Sequence, residues 1–413
     1  MNGNVWRWLG AYAASLIGDA IYFLALGWAA ARAAGPAEVG LVMAAGAVPR
    51  ALLMLGGGVI ADRFGPRLVV ISSDAVRCVV VLVLAVVVAL ASPGLGALVT
   101  VALVFGAVDA LFLPAVGALP PRVAGPGQLV RVQGLRSLVE RVGHTAGPPV
   151  AGIAMGLGGP GAAFAVASAL FGVSLVLLLA VRIAPLPEGG AVGLDPAGVD
   201  RAGLESAAPE SPWRQLRSGL GYIRRHGVIG PLMLSGALSQ LGTSAPLTVG
   251  LILLAGERGW GPSGVGWIIG AFGVGAACSA LLLTVVPRVP RAGAVQNLTL
   301  LVGSAAIGAL ALAPSLRFAV GLAVAGGLVC GICGGLAVAL IQASTDPAYL
   351  GRVSSVMAFT AVGLAPLAYP AFGLAVSLWG IVPVFLAGGV LSMAGAIAGT
   401  TAPLVRQAEL TFA

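Results

Sequence analysis

The sequence predicts an all-α membrane protein of twelve transmembrane helices, arranged as two pseudo-symmetric six-helix halves with both termini cytoplasmic. Three observations predict it. The 413 residues are 59% hydrophobic and 9% charged, with a mean hydropathy of +1.04. A soluble domain carries about 25% charged residues, so this chain cannot cover a globular surface in water, and lipid must solvate most of it. Apolar stretches of about 20 residues, the length that crosses a bilayer, recur near 8–31, 38–60, 68–91, 95–119, 130–155, 160–182, 228–254, 263–286, 294–313, 317–341, 353–377 and 380–403. Finally, arginines crowd alternate loops: fourteen, from Arg7 and Arg63 to Arg352 and Arg406, on one side, against Arg32, Arg258 and Arg317 on the other. The richer side is cytoplasmic by the positive-inside rule, which puts both ends inside and requires an even number of spans.

The elements follow in chain order. Arg7 precedes an apolar run reaching Ala31, too long for a signal-peptide core, so the first span is expected to be uncleaved. The first half is expected over 1–183 and the second over 228–413, with a cytoplasmic linker at 184–227. The linker opens as a flexible acidic segment rich in Pro and Gly. It then interleaves Trp213, Leu216, Leu220, Tyr222 and Ile223 with four arginines. That pattern suits either an amphipathic helix on the inner leaflet or a cytoplasmic extension of span 7. The halves echo one another: Gly35-Pro36-Ala37-Glu38-Val39-Gly40 before span 2 returns as Gly261-Pro262-Ser263-Gly264-Val265-Gly266 before span 8. A six-plus-six duplication places a substrate site between the halves near mid-depth.

All 22 basic residues are arginine, against 14 acidic ones. The chain has no basic run with interleaved aromatics on a soluble face, so no nucleic-acid partner is expected. The Arg-for-Lys bias, with abundant Ala, Gly and Val, suits a GC-rich bacterium and a multi-pass protein of its inner membrane. Cys78, Cys278, Cys330 and Cys333 all lie in apolar stretches. Cys330 and Cys333 have the spacing of a metal or redox pair, but their Gly and Val flanks and the lack of a nearby His favour helix packing. No metal or cofactor is expected. Two histidines and no nucleophile motif argue against an enzyme, and no phosphate-binding loop is present for ATP.

Between spans 2 and 3 the chain reads Gly58-Val-Ile-Ala-Asp62-Arg63-Phe64-Gly65-Pro66-Arg67. Gly58 permits close helix contact and Gly65 a tight turn, while Asp62 can accept hydrogen bonds from a helix N-terminus or an Arg. Span 5 carries Gly134, Gly143, Gly147-Pro148 and Gly152, whose Gly and Pro kink the helix and leave a smooth face for a partner span. The first segment resembles the loop signature of the major facilitator superfamily, with Pro66 in place of one basic residue. The second resembles the antiporter motif of that superfamily's drug exporters, with Ala151 in place of one Gly. Ser15, Gly18-Asp19, Ser73-Asp74, Arg77, Gln342 and Gly351-Arg352-Val353 are similar to the branch containing macrolide and siderophore exporters. The resemblance covers nearly the whole chain outside the linker. It implies the major facilitator fold, a conformational latch at Gly58, Asp62, Arg63, Gly65 and Arg67, and export. Many relatives place an Arg in mid-span 4, where this chain has Asp109, so their proton relay does not carry over.

An ionisable group inside a span costs roughly 2.5–3.5 kcal/mol on insertion scales, which makes each a candidate for function. Asp19 and Arg50 both fall near the midplane, roughly 16–18 Å from the cytoplasmic ends at 1.5 Å per residue. They are expected to pair, either as a proton-coupling site, with Asp19 the carrier, or as a static link between spans 1 and 2. Asp109 in span 4 is the second carrier candidate. Arg136, Glu140 and His144 share one face of span 5 at i, i+4 and i+8, as a proton relay or as a structural salt bridge with a hydrogen-bonded His.

The expected function is a proton-coupled exporter of small amphipathic compounds such as antibiotics or siderophore-like metabolites. Its partners would be a small-molecule substrate, protons and membrane lipid, and the protein is expected to be a monomer. A proton-coupled importer uses the same fold, but the Gly147-Pro148 motif argues against it. A lipid flippase would need a laterally open polar groove, of which the nearly uncharged second half gives no sign.

Overall fold

The computed structural model describes residues 3–91, 93–124, 127–181, 212–286, 288–400 and 403–411, without the side chains at 54–59, 61–62, 212–217, 348, 403 and 410–411. The linker residues 184–211 therefore lie outside the described residues. In hydrocarbon the backbone must satisfy its own polar groups, and the apolar stretches do so as helices. In chain order these are α1 (Gly3–Ala33), α2 (Pro36–Phe64), α3 (Pro66–Leu90), α4 (Leu95–Gly117), the short α5 (Pro120–Val123) and α6 (Leu129–Leu179). There follow α7 (Pro212–Arg225), α8 (Ile229–Ala245), α9 (Leu251–Glu257), α10 (Gly261–Val285), α11 (Ala292–Ala309) and α12 (Leu316–Ser344). The last are α13 (Leu350–Gly363), α14 (Ala365–Trp379), α15 (Ile381–Thr400) and α16 (Pro403–Gln407). Proline opens α2 and α3, where its missing N–H costs the helix nothing. Pro246, with no N–H to give, begins a π-turn over Pro246–Gly250 that joins α8 to α9.

Eleven segments among the described residues are long and apolar enough to cross a membrane. One of them, α6, has 51 residues, about 76 Å at 1.5 Å per residue and more than twice the hydrocarbon thickness. It is broken at Gly158 and Gly159; Gly159, at φ 68° and ψ −168°, holds a conformation essentially confined to glycine. Its limbs, 129–157 and 160–179, correspond to the fifth and sixth apolar stretches. The all-helical expectation needs one small addition. Arg288 and Val289 pair antiparallel with Thr411 and Leu410, tying the chain's end to the α10–α11 turn. Cys330 and Cys333 are free thiols on α12, Cys330 packing toward Gly303 of α11 and Cys333 accepting from Gln296 Nε2 at 3.5 Å.

In the first part of the chain α1 and α3 pack against α6, and α2 and α3 against α4; in the second, α8 packs against α15, α10 against α12, and α11 against α12 and α15. Two helix pairs carry most of the contact between the parts among the described residues, α2 with α14 and α6 with α10. Both joints use the repeated hexapeptide, which begins α2 and α10. A Cβ on Gly40 would lie 2.5 Å from the Tyr369 carbonyl oxygen, and one on Gly266 would press on the Pro148 carbonyl and lie 3.2 Å from Pro149 Cα. Ser263 Oγ adds a hydrogen bond to the Gly152 carbonyl, 3.0 Å. The echo between halves is thus a pair of inter-half contacts.

α7 is a helix of its own, not a continuation of α8. His226 lies between them, and its Nδ1 accepts from the Val228 and Ile229 amides at 3.3 and 3.2 Å. Tyr222 of α7 stacks on Tyr349 (centroids 4.3 Å apart, planes 4° apart) and accepts from the Asp346 amide at 3.1 Å, docking α7 at the start of α13.

Candidate functional site

The first half encloses a cluster of five charged side chains from four helices. Asp74 and Arg77, three residues apart on α3, share a face. Arg77 is the hub, its side chain fully buried. Its Nη2 donates to Asp109 Oδ1 of α4 at 2.8 Å. Its Nη1 reaches Ser15 Oγ at 3.1 Å and Asp19 Oδ1 at 3.4 Å, both on α1, and lies 3.5 Å from Asp74 Oδ1. Asp74 also accepts from Ser15 Oγ at 3.2 Å and from Ser174 Oγ of α6 at 2.5 Å. Arg50 Nε of α2 lies 3.0 Å from Asp109 Oδ2, a close ionic contact rather than an aligned hydrogen bond.

Aromatic rings wall the cluster. The Arg77 guanidinium carbon is 4.0 Å from the Phe112 ring centre, 5.4 Å from that of Phe105 and 5.7 Å from that of Phe171, where ring faces attract a cation. Tyr22 stacks on Phe105 with centroids 3.7 Å apart. The rings keep water out, and a low dielectric raises the cost of any unpaired charge. Three carboxylates face two guanidinium groups, so with every group ionised one negative charge is uncompensated.

The cluster meets open space at two members. Arg50, 31% exposed, helps line a cavity of about 350 Å³ with Phe23, Met43, Thr248 and Tyr369. Phe23, Met43 and Thr248 also line a larger cavity of about 720 Å³ between the halves, walled by α1, α2, α6, α9 and α10 and bearing Glu140, Arg141 and His144. Asp19 is 16% exposed, whereas Asp74 and Asp109 are almost wholly covered. Both cavities lie on the terminus-bearing side of the Gly40 and Gly266 contacts. At the hexapeptide ends the halves are in backbone contact.

The expected pairing of Asp19 with Arg50 needs correction. Asp19 contacts Arg77, and Arg50 contacts Asp109. All three candidate coupling residues still fall in one cluster, because Arg77 links Asp19 to Asp109, which also holds Arg50. Depth along the helix placed Asp19 and Arg50 at similar levels, but helix rotation decides partners, and α3 and α4 supply the nearer ones. Sequence reasoning gave no site role to Asp74, Arg77, Ser15 or Ser174. A signal existed: Ser15 and Asp19 at i, i+4 and Asp74 and Arg77 at i, i+3 put two polar groups on one face of each of two apolar helices.

The three residues on α6 separate. Arg136 Nε pairs with Glu140 Oε1 at 3.0 Å, and Tyr12 donates to the same oxygen at 2.7 Å. His144 faces the larger cavity and, among the described residues, has no hydrogen-bond partner. In the glycine motif of span 5, Gly143 and Gly147 face Leu16 and Ala20 of α1 and Gly152 faces Ser263 of α10, while Gly134 meets nothing within 4 Å. At the latch, Gly58 and Asp62 belong to α2, but their side chains lie outside the described residues. Gly65 takes φ 83° at the α2–α3 turn, a conformation suited to glycine. Arg63 is exposed over Phe64, and Arg67 Nη2 donates to the Leu179 carbonyl at the end of α6, 3.2 Å.

Residues 8–247 match the family model of the Major Facilitator Superfamily. Among solved structures, the chain is similar to the nucleoside transporter NupG, with a TM-score of 0.70 and 12% identity over 97% of this chain and 99% of that one. It is similar to a bacterial homologue of the human lysosomal transporter Spinster in an inward-facing, occupied conformation, with a TM-score of 0.68 and 14% identity over 97% and 95%. A POT family transporter in complex with 5-aminolevulinic acid gives a TM-score of 0.68 and 14% identity over 97% and 96%. At such identities the likeness is one of fold. No curated protein matches the chain in sequence.

Proposed function

This chain belongs to the Major Facilitator Superfamily, and from that premise we propose that it is a proton-coupled exporter of small amphipathic compounds, such as antibiotics or siderophore-like metabolites. It is a transporter, not an enzyme. In this reading α6 counts as two spans, which makes twelve, and the excess of arginine in the termini-side loops puts both ends in the cytoplasm of a bacterial inner membrane. The opening between the halves then faces inward, and the hexapeptide contacts are the closed outer gate. Rocking about the cavity would open that gate and close the other. The exporter-type spacing of Gly134, Gly143, Gly147, Pro148 and Gly152 supports outward transport.

The observation that carries proton coupling is the cluster of three carboxylates on two arginines beside the cavity. A proton on one carboxylate removes the surplus charge. Asp109 holds two arginines, and Asp74 holds Arg77 and two hydroxyls. Asp19 has one arginine contact, at 3.4 Å, and of the three it is the most exposed. Asp19 is therefore the carrier. Protonated, it releases Arg77 to its other two acids; ionised, it draws Arg77 back toward α1. That exchange links proton occupancy to the seating of α1 against α3. The protein would work as a monomer, with lipid as its only fixed neighbour.

The test is efflux of lipophilic dyes and antibiotics from a pump-deficient bacterium expressing the protein, with and without a protonophore. Efflux should stop with the protonophore and in Asp19→Asn at equal expression. Efflux that survives Asp19→Asn removes the carrier role from Asp19. Uptake of a solute driven by an inward proton gradient, with no efflux, would overturn export.

A further inference from the structure

The interhalf cavity has a side door. A second opening of about 990 Å³ runs between α6, α10 and α12. It shares Ser137, Arg141, Thr145, Ala276 and Ala277 with the 720 Å³ cavity, so the two spaces adjoin along one wall. Its other lining is almost entirely apolar or small, from Leu138 and Val142 on α6 to Leu281 on α10 and Val338 on α12. Those four side chains are well exposed within membrane-spanning helices, so they face acyl chains. The groove is therefore open sideways to lipid at one end and joined to the substrate cavity at the other.

One charged side chain stands at the junction. Arg141 lines both spaces and is exposed. Twelve residues into α6, it is about 18 Å from the helix start, deep in the bilayer. Among the described residues it has no carboxylate or carbonyl partner, while its neighbour Glu140 is occupied by Arg136 and Tyr12. An unpaired guanidinium at that depth is costly, and such residues mark substrate pathways. A carboxylate or phosphate would meet it with two parallel hydrogen bonds.

Resting on the exporter reading, we infer that the substrates are amphipathic anions that enter sideways from the membrane, the tail lodged in the α6–α10–α12 groove and the anionic head on Arg141. The groove supplies apolar contact to any chain of suitable width; Arg141 supplies the selection for a negative head. The importance of charge predicts discrimination between an acid and its ester of equal length.

Cys278, a free and exposed thiol in the groove wall, is a native reporter. The purified protein in lipid nanodiscs would be titrated with a dansyl-labelled undecanoate, its methyl ester and the matching undecylamine. In parallel, alkylation of Cys278 by a lipid-soluble maleimide would be followed by peptide mass spectrometry. The carboxylate should bind at least tenfold more tightly than the amine and slow alkylation of Cys278. Arg141→Gln should weaken the carboxylate about tenfold and leave the ester unchanged, with Arg141→Lys between. Equal binding of acid and amine, or no protection of Cys278 in the unmutated protein, would overturn the inference without any variant. Protection without protonophore-sensitive efflux would leave the anion site standing and remove export. Efflux of neutral or cationic dyes with no carboxylate binding would do the reverse.

Discussion

Replacing Arg77 with glutamine tests whether the buried cluster is held by charge balance. The side chain is fully buried and touches three carboxylates and a serine. Glutamine keeps one amide donor group but is shorter and loses the charge. The formal charge of the five groups then falls from minus one to minus two, with only Arg50 left, and Arg50 reaches Asp109 alone. Removing one partner of a buried ion pair costs about 3–5 kcal/mol. For a cooperative unit of about 150–250 residues, 1 kcal/mol moves Tm by roughly 2–4 °C. Arg77→Gln should therefore lower the melting temperature of the detergent-solubilised protein by on the order of 10 °C, measured by intrinsic tryptophan fluorescence. The double variant with Asp109→Asn returns the formal charge to minus one and should recover more than half of that loss, a coupling beyond the few tenths of a kcal/mol expected of independent sites. A melting point within about 2 °C of the unmutated protein for Arg77→Gln, or losses that simply add in the double variant, would refute charge balance as the organising force.

Three further outcomes follow from the geometry. Gly266→Leu puts a side chain against the Pro148 carbonyl, so the hexapeptide face should open more often, and a cysteine placed at Ser263 should react several-fold faster with an impermeant maleimide; an unchanged rate would mean this contact is no gate. Tyr12→Phe deletes one hydrogen bond to Glu140, worth about 1 kcal/mol, and should leave efflux and its protonophore sensitivity intact; uncoupled efflux would instead make the Arg136–Glu140 pair part of the proton path. His226→Ala removes the acceptor for two amides at the start of α8, and loss of a cap costs about 0.5–2 kcal/mol; a Tm drop of a few degrees is expected, and no drop would mean water replaces the ring.

Much of the architecture was legible because membranes impose one-dimensional rules. Backbone satisfaction forces each apolar run into helix, and bilayer thickness sets its length, so the expected apolar stretches fall on helical segments of the structure, two of them sharing α6. The break in α6 falls at Gly158 and Gly159, between the fifth and sixth apolar stretches, where few other residues allow that backbone. The hexapeptide echo was visible as a repeat. Its use as the joint between halves was not, since that depends on what α6 and α14 bring opposite. The side door was equally hidden: Leu138, Val142 and Leu281 look like any lipid-facing leucine or valine until α12 is placed beside α10.

The amino-acid sequence by itself determined where the chain enters lipid, which residues carry charge there, and how far along each helix they sit. Only the tertiary structure decided that Arg77 gathers Asp19, Asp74 and Asp109, that Arg50 serves Asp109, and that Arg141 stands between cavity and groove. The physical reason is that hydropathy and rise per residue act along one helix. A salt bridge a few ångströms long depends instead on how four helices are rotated against one another, and that is settled by the packing of many small and aromatic side chains at once.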